Sequence, residues 1–214
     1  MISILTPTKN TRPEMLAKLI ASVERNTYTD WELIIQNCGE ELHHKNPKIK
    51  IYNEKDTGIS NALNKAIAKS YGDLFVWLND DDEIYSNMFE YITSHIGAAQ
   101  WCYAKINIIG ENRTWGFPWS FNIMKYWNVV AQPTTFWTRH AGQEIGAFDE
   151  SCNLSTCMDY DFWFRLGQHF YPRFFDVILA NYYFHPDAIS IKQKDLQEEQ
   201  AQKCREKYKH IYVA

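Results

Sequence analysis

The sequence predicts an α/β fold, with a mostly parallel central sheet flanked by helices and a less regular second half. Three observations carry that prediction. Apolar runs of strand length alternate with segments of helical period through the first half, the pattern of β-α-β units. Phe75-Val76-Trp77-Leu78 is apolar without alternation, as in a strand covered on both faces. That run ends in Asn79-Asp80-Asp81-Asp82, a polar cluster at the strand end where open α/β sheets bind ligands.

Ile2 to Thr6 is the first strand. Thr11 is placed to cap a helix, with Glu14 completing a capping box and Pro13 in the first turn. Met15, Leu16, Leu19, Ile20 and Val23 give that helix one apolar face. Trp31 to Gln36 reads as the second strand and Ile49 to Tyr52 as a short third. A helix from Ser60 to about Ser70 aligns Ile59, Leu63 and Ile67, and Gly72-Asp73 closes it before the strand at Leu74 to Leu78. Ser86 begins another helix, with Phe89, Ile92 and Ile96 inward and Gly97 as its stop.

The second half is richer in aromatics. Trp101 to Ile108 reads as a strand and Gly110-Glu111-Asn112 as a turn. Trp115, Phe117, Trp119, Phe121, Tyr126 and Trp127 then crowd one segment, read as core for the most part with one or two rings left at a cleft. Thr134 to Thr138 is a short strand, a helix ends near Gly146, and Asp159 to His169 forms a further helix. Ile178 to Phe184 is the last strand. The tail from Asp195 is a polar helix carrying Lys203, Arg205, Lys207 and Lys209.

Composition narrows the class. The 214 residues, 45% of them hydrophobic, suit one large domain with a sizeable core. A net charge of −4 argues against a general nucleic-acid binder, which needs a basic surface. Five cysteines without a C-x-x-C pair point to reduced thiols and a cytoplasmic setting. The chain opens directly on a strand-like run, which is the expectation for a protein without a signal peptide. No apolar stretch is long enough to span a bilayer.

Three adjacent aspartates repel one another, are too costly to bury unpaired, and are relieved by a divalent cation. Hard oxygen ligands suit Mn²⁺ or Mg²⁺, ions that commonly bridge to a substrate diphosphate. The competing reading is a solvated acidic turn.

In order along the chain, Ser3 to Asn10, Asp56-x-Gly58-Ile59-x-x-Ala62-x-Asn64-Lys65, Gly72-Asp73 and Asn79-Asp80-Asp81-Asp82 form a recognisable series. Gln132-Pro133-Thr134-Thr135-Phe136, Gly146-Ala147-Phe148-Asp149-Glu150, Asp159 to Leu166 and His185-Pro186-x-x-x-Ser190 continue it. Taken together the chain resembles glycosyltransferase family 2, whose catalytic domain has the GT-A fold with a Rossmann-like sheet. The resemblance implies a single GT-A domain over 1–214. Residues 1–110 would be the nucleotide-sugar-binding half, 111–190 the acceptor half and 191–214 a helical tail.

It also implies an inverting glycosyltransferase that moves a sugar from a nucleotide-diphosphate donor, UDP-linked by expectation, to a hydroxyl acceptor in polysaccharide or glycoconjugate synthesis. The partners implied are that donor and a glycan or lipid-linked glycan acceptor. Asp81 would be the principal metal ligand. His185 is either a second ligand or a surface histidine before Pro186. Asp159 is either the base that takes the acceptor proton or a helix-capping aspartate. Thr6, Pro7, Thr8, Asp56, Gly58, Asn64, Asn79 and Asp80 would contact the nucleotide sugar, although Gly58 also fits a plain helix-opening turn. Lys65 reaches the diphosphate or is an ordinary helix lysine. Arg165 is expected to pair with a carboxylate.

The chain departs from the family pattern at Gln36 to Gly39, Asn61, Ala66 and Met158, where an aspartate, a second aspartate, a glycine and a glutamate are usual. Those losses keep a non-catalytic nucleotide-sugar-binding relative in play. A nucleotidyltransferase is the other rival, opposed by the absence of a glycine-rich loop after the first strand. The basic residues of the tail admit a peripheral contact with the cytoplasmic face of a membrane. Glu198, Glu199 and Glu206 favour a solvated helix face instead.

Overall fold

The computed structural model describes residues 1–151, 155–183 and 188–211. Its strands are β1 (Ile2–Thr8), β2 (Trp31–Asn37), β3 (Ile49–Asn53), β4 (Leu74–Trp77), β5 (Glu83–Ile84), β6 (Trp101–Ile109), β7 (Arg113–Trp115), β8 (Phe136–Thr138) and β9 (Arg173–Tyr183). The helices are α1 (Pro13–Glu24), α2 (Ile59–Ala68), α3 (Met88–His95), α4 (Phe121–Met124), α5 (Arg139–Ile145), α6 (Met158–His169), α7 (Ile189–Lys192) and α8 (Lys194–Tyr208). Among the described residues one sheet runs in the order β3-β2-β1-β4-β8-β6-β9-β5, with β7 paired to β6.

The first four strands of that order are parallel throughout. β8 then runs antiparallel between β4 and β6, and β6 pairs in parallel with β9. Because the chain passes from β1 to β2 on one side and later to β4 on the other, β1 and β4 flank a crevice at their carboxyl ends. Register holds those ends level: Leu5 lies opposite Trp77, and Leu78 N–H donates to the Leu5 carbonyl at 3.0 Å.

The absence of alternation in the central strands has its expected cause. Ile4, Leu33, Ile35, Val76 and Leu78 face a core shared with Leu16, Leu19 and Val23 of α1 and Phe89 and Ile92 of α3. Leu5, Ile34, Phe75 and Trp77 face the opposite core, filled by α2, α5, α6 and α8. Trp101, Trp137, Trp163, Phe148 and Phe162 form its aromatic centre, with the Phe148 and Phe162 rings stacked at 4.0 Å. Gly72 allows the chain to cross β1, since a Cβ there would lie 2.7 Å from the Ser3 nitrogen.

Several expectations are corrected. Thr11 does not cap α1. Arg12 occupies that place with no side-chain cap, because Pro13 at the first helical position sets the boundary and has no N–H to satisfy. Thr134 ends a short 3₁₀ turn, Gln132–Thr134, and does not begin β8. Of the six aromatics between 115 and 127, only Trp119 and Phe121 are buried, while Phe117, Tyr126 and Trp127 are exposed. Asp82 is core after all, at 1% exposure. The expected end of the last strand at Phe184 lies outside the described residues. No described helix is long and apolar enough to cross a membrane.

Gly167 sets how closely α6 approaches the aromatic core: a Cβ there would sit 2.1 Å from Trp119 Cζ2. Gly167→Ala is expected to lower stability by roughly 1–3 kcal/mol through overpacking, despite the better helix propensity of alanine. Urea denaturation checks this, and a variant as stable as the parent would mean that Trp119 moves aside freely.

Candidate active site

The end of β4 turns sharply. Asn79 N–H donates to Asp82 Oδ2 at 2.8 Å, which folds Asp82 back under the turn and leaves Asp80 and Asp81 on its outer side. Those two side chains are only 15% and 16% exposed. Thr8 at the end of β1 donates to Asp80 at 2.6 Å, and its hydroxyl also accepts the Asn10 N–H. Arg12 Nη2 lies 3.0 Å from Asp81 and 3.6 Å from Asp80. Burial and the Asp81 charge push the Asp80 carboxyl above its ordinary range against the Thr8 hydrogen bond. The same two causes raise Asp82 well above it.

The donor set fits a divalent cation. Two partly exposed carboxylates share one face, and Asp82 Oδ1 is buried without a hydrogen-bond partner among the described residues. No three His, Cys, Asp or Glu side chains among the described residues are arranged as a metal cage. That suits an ion completed by water and substrate phosphate, as is usual for Mg²⁺. His185 lies outside the described residues.

The other residues singled out from sequence fall into two groups. Thr6 is fully buried on β1, Pro7 is half-buried beside it, and Thr8 joins the aspartate turn. Asn79 also belongs there: it accepts from Trp77 Nε1 at 2.9 Å and donates to Gln132 Oε1 at 3.0 Å. Asp56 accepts the Gly58 N–H at 3.0 Å to open α2, and Gly58 needs its φ of +135° to do so. Asn64 is turned the other way. It donates to the Phe148 carbonyl and to Glu150, and accepts from Phe148 N–H at 2.9 Å, so its amide clasps the Gly146–Glu150 loop. Asn61 donates to the same Glu150. Lys65 donates to the Lys55 carbonyl at 2.6 Å, and Arg165 pairs with Asp161 at 2.8 Å as expected.

Asp159 stands in the first turn of α6, after Cys157 at the helix boundary. Asn128 Nδ2 approaches Asp159 Oδ2 at 3.5 Å. Burial raises its pKa to about 6, and the backbone N–H groups of Tyr160 and Asp159 offset only part of that. The expected stabilisation of the ionised form by the helix start is therefore outweighed. Four steps of backbone separate Asn128 from Gln132, which touches Asn79 and also donates to the Trp77 carbonyl at 2.5 Å. Their α-carbons are thus at most about 14 Å apart, which puts Asp159 and the aspartate turn at two ends of one short segment.

The match to the model of glycosyl transferase family 2 covers residues 3–166. The chain belongs to that family. An uncharacterized glycosyltransferase of Rickettsia felis is 26% identical over 93% of this chain and 36% of its own, so the chain spans about a third of that relative's length. A PGL/p-HBAD biosynthesis glycosyltransferase of Mycobacterium bovis is 23% identical over 85% of this chain and 76% of its own. Among solved structures, Staphylococcus aureus TarS 1-349 in complex with UDP-GlcNAc superposes with a TM-score of 0.67 at 15% identity, covering 86% of this chain and 58% of TarS 1-349. The mannosyltransferase PcManGT of Pyrobaculum calidifontis, with GDP-Man and Mn²⁺, gives 0.72 at 10% identity over all of this chain and 65% of its own. These superpositions establish the GT-A-like fold.

Four residues of this region escaped the sequence reading of site residues: Arg12, Asn128, Gln132 and Glu150. Gln132 and Glu150 stood within quoted motifs, so a signal existed. Arg12 and Asn128 had none, because their roles come from tertiary approach.

The raised pKa of Asp159 has a stability consequence. A carboxyl whose folded pKa of about 6 exceeds its ordinary 3.8 contributes most below pH 3.8, and that contribution is lost as pH rises through 6. Asp159→Asn is accordingly expected to stabilise the protein at pH 7.5, on the order of 3 kcal/mol from about two pH units. The gain should vanish near pH 3.5. Thermal melts at both pH values test this, and an equal effect at the two would show that the carboxyl is not held protonated by its surroundings.

Proposed function

We propose that the chain is an inverting, metal-dependent glycosyltransferase that moves a sugar from a nucleotide-diphosphate donor to a hydroxyl acceptor. The observation that carries this reading is the Asn128–Gln132 segment, with a carboxyl of pKa about 6 at one end and the aspartate turn at the other. Asp81, with Asp80 beside it, would hold Mn²⁺ or Mg²⁺. When bound, that ion neutralises the negative charge that grows on the departing diphosphate. Thr8 keeps Asp80 turned toward the rim, and Arg12 offsets the carboxylates while the donor is absent.

On the acceptor side, Asp159 takes the hydroxyl proton as the acceptor oxygen attacks the anomeric carbon. The new C–O bond forms on the face opposite the breaking bond to the diphosphate oxygen, and the nucleotide diphosphate leaves with that bond's electron pair. A single displacement of this kind inverts the anomeric centre. A base with a pKa near the working pH combines a large ionised fraction with useful basicity.

TarS, crystallised with UDP-GlcNAc, supports a UDP-linked donor, and PcManGT, crystallised with GDP-Man and Mn²⁺, supports a metal. The PGL/p-HBAD relative and a colanic acid biosynthesis relative of Escherichia coli, 32% identical over 44% of this chain and 37% of its own, favour a glycan or lipid-linked glycan acceptor. Trp115, Phe117 and Trp127 pack edge to face at 5.0–5.5 Å immediately before Asn128, with Phe117 and Trp127 open to solvent. These rings form the acceptor platform. A peripheral contact of α8 with the cytoplasmic face of a membrane has less support. Its Lys203 and Arg205, and Lys209 just beyond its end, are paired with Glu199, Glu198 and Glu206.

Two substitutions separate the roles. Asp81→Ala should abolish Mn²⁺-dependent binding of UDP, measured by isothermal titration, without lowering the melting temperature of the apo protein. Unchanged affinity would remove Asp81 as the principal ligand. Asp159→Asn should leave that binding intact and slow transfer, or the slower hydrolysis of a UDP-sugar, by about 10²- to 10⁴-fold. Wild-type turnover in this variant would end the assignment of Asp159 as base.

A further inference from the structure

The last helix grips both flanks of Asp159, and it lies beyond the residues matched by the family model. Upstream of Asp159, the buried side chain of Gln200 accepts at Oε1 from Thr156 N–H and from the Thr156 hydroxyl, each at 2.7 Å. Its Nε2 donates to Ser155 Oγ at 3.2 Å. Gln197 Nε2 donates to the Thr156 carbonyl at 3.3 Å, and the Gln197 carbonyl accepts the Cys157 thiol at 3.3 Å. Downstream, Tyr208 and Lys207 each donate to Asp161 Oδ1 at 2.7 Å, and the Tyr208 ring stacks on Phe164 at 4.4 Å.

We propose that α8 is the positioning element for the acceptor-side base, with Gln200 as the residue that fixes where α6 begins. The inference rests on the reading of Asp159 as base. Packing α8 against α6 needs only apolar side chains, and Ala201, Cys204 and Tyr208 supply them. A buried glutamine whose two amide atoms hold Ser155 and Thr156 does something packing does not: it sets the direction in which the first turn of α6 leaves the loop. A fully satisfied buried polar network specifies one geometry, and a shift of about 1 Å at a reacting group costs on the order of 10²-fold in rate.

α8 also adds no unpaired charge to the region around Asp159. The titratable groups facing this region are the Cys157 thiol and the Tyr160 phenol on its own segment and Cys204 on α8. Burial pushes all three up, so they stay neutral. Arg205 of α8 approaches Tyr160 and Cys157 but is paired with Glu198. Asp161 is paired with Arg165 and Lys207.

The test uses the full chain in its apo state. The Asp159 carboxyl is titrated by ¹³C NMR in the parent, Gln200→Leu, Thr156→Val and Thr156→Ser. Thr156→Ser keeps the hydroxyl bond to Gln200, and the Thr156 pair keeps the test open if Gln200→Leu fails to fold. The expected result is a midpoint near 6 in the parent and Thr156→Ser. It should fall by at least one pH unit in Gln200→Leu and Thr156→Val as water reaches the carboxyl. Hydrolysis of UDP-GlcNAc with Mn²⁺ should show the matching split, with kcat down at least tenfold and KM unchanged. Parent-like midpoints in folded Gln200→Leu and Thr156→Val would overturn the inference. Wild-type hydrolysis by Asp159→Asn would instead overturn the base, and the role of α8 with it.

Discussion

Three carboxylates on one turn at the end of a buried strand are the constraint around which this site is built. Two unit charges 4 Å apart repel by about 4 kcal/mol in a partly screened protein environment, so three together demand compensation. Each aspartate receives a different one. Asp80 is met by the Thr8 hydroxyl and Asp81 by the Arg12 guanidinium. Asp82 is folded under the turn onto the Asn79 N–H, where burial and the Asp81 charge raise its pKa. The first two compensations depend on β1 and β4 ending at the same level, because Thr8 and Arg12 arrive from β1 and the turn into α1, while that of Asp82 lies within the turn itself. The sheet order is thus an electrostatic requirement of the site as well as a packing solution.

The start of α1 shows the cost of that arrangement. A threonine or serine cap would satisfy free N–H groups there, and Thr11 stands one residue away. The chain instead places Arg12 at the boundary, with its side chain directed to the carboxylates. Pro13 sets the boundary, and the side chain at the cap position is turned to carboxylates 69 residues away in sequence, a partner that no local pattern registers.

The same distinction separates what was legible in the sequence from what was not. The parallel half of the sheet was readable because burial on both faces leaves an unbroken apolar run, and Phe75 to Leu78, bounded by Gly72-Asp73 and the aspartates, is too short for a helix. The helix α2 was readable from its spacing, but the reason for its motif was not. Asn64 in the Asp56–Lys65 signature is a clasp: it binds both the N–H and the carbonyl of Phe148, whose ring stacks on Phe162 of α6. The signature couples α2, through the Phe148 loop, to the helix that carries Asp159, by a hydrogen bond between residues 84 positions apart. Exposure of the rings at 117, 126 and 127 was equally hidden, since aromatic content alone does not say which faces find a partner.

Two aspartates of α6 show how finely such placement acts. Asp159 and Asp161 stand in the same first turn and are both desolvated, which raises the pKa of each. For Asp161 the Lys207 ammonium, the Arg165 guanidinium and the Tyr208 hydroxyl reverse the sign, and the carboxyl ends below its ordinary value. For Asp159 the backbone N–H groups of Tyr160 and Asp159 offset burial only in part, and the carboxyl ends near 6. Two identical side chains two residues apart are therefore assigned different chemistry by which face of α6 meets α8. The face that α8 covers is neutralised and locked. The other keeps an uncompensated carboxyl beside Asn128, free to exchange a proton near neutral pH.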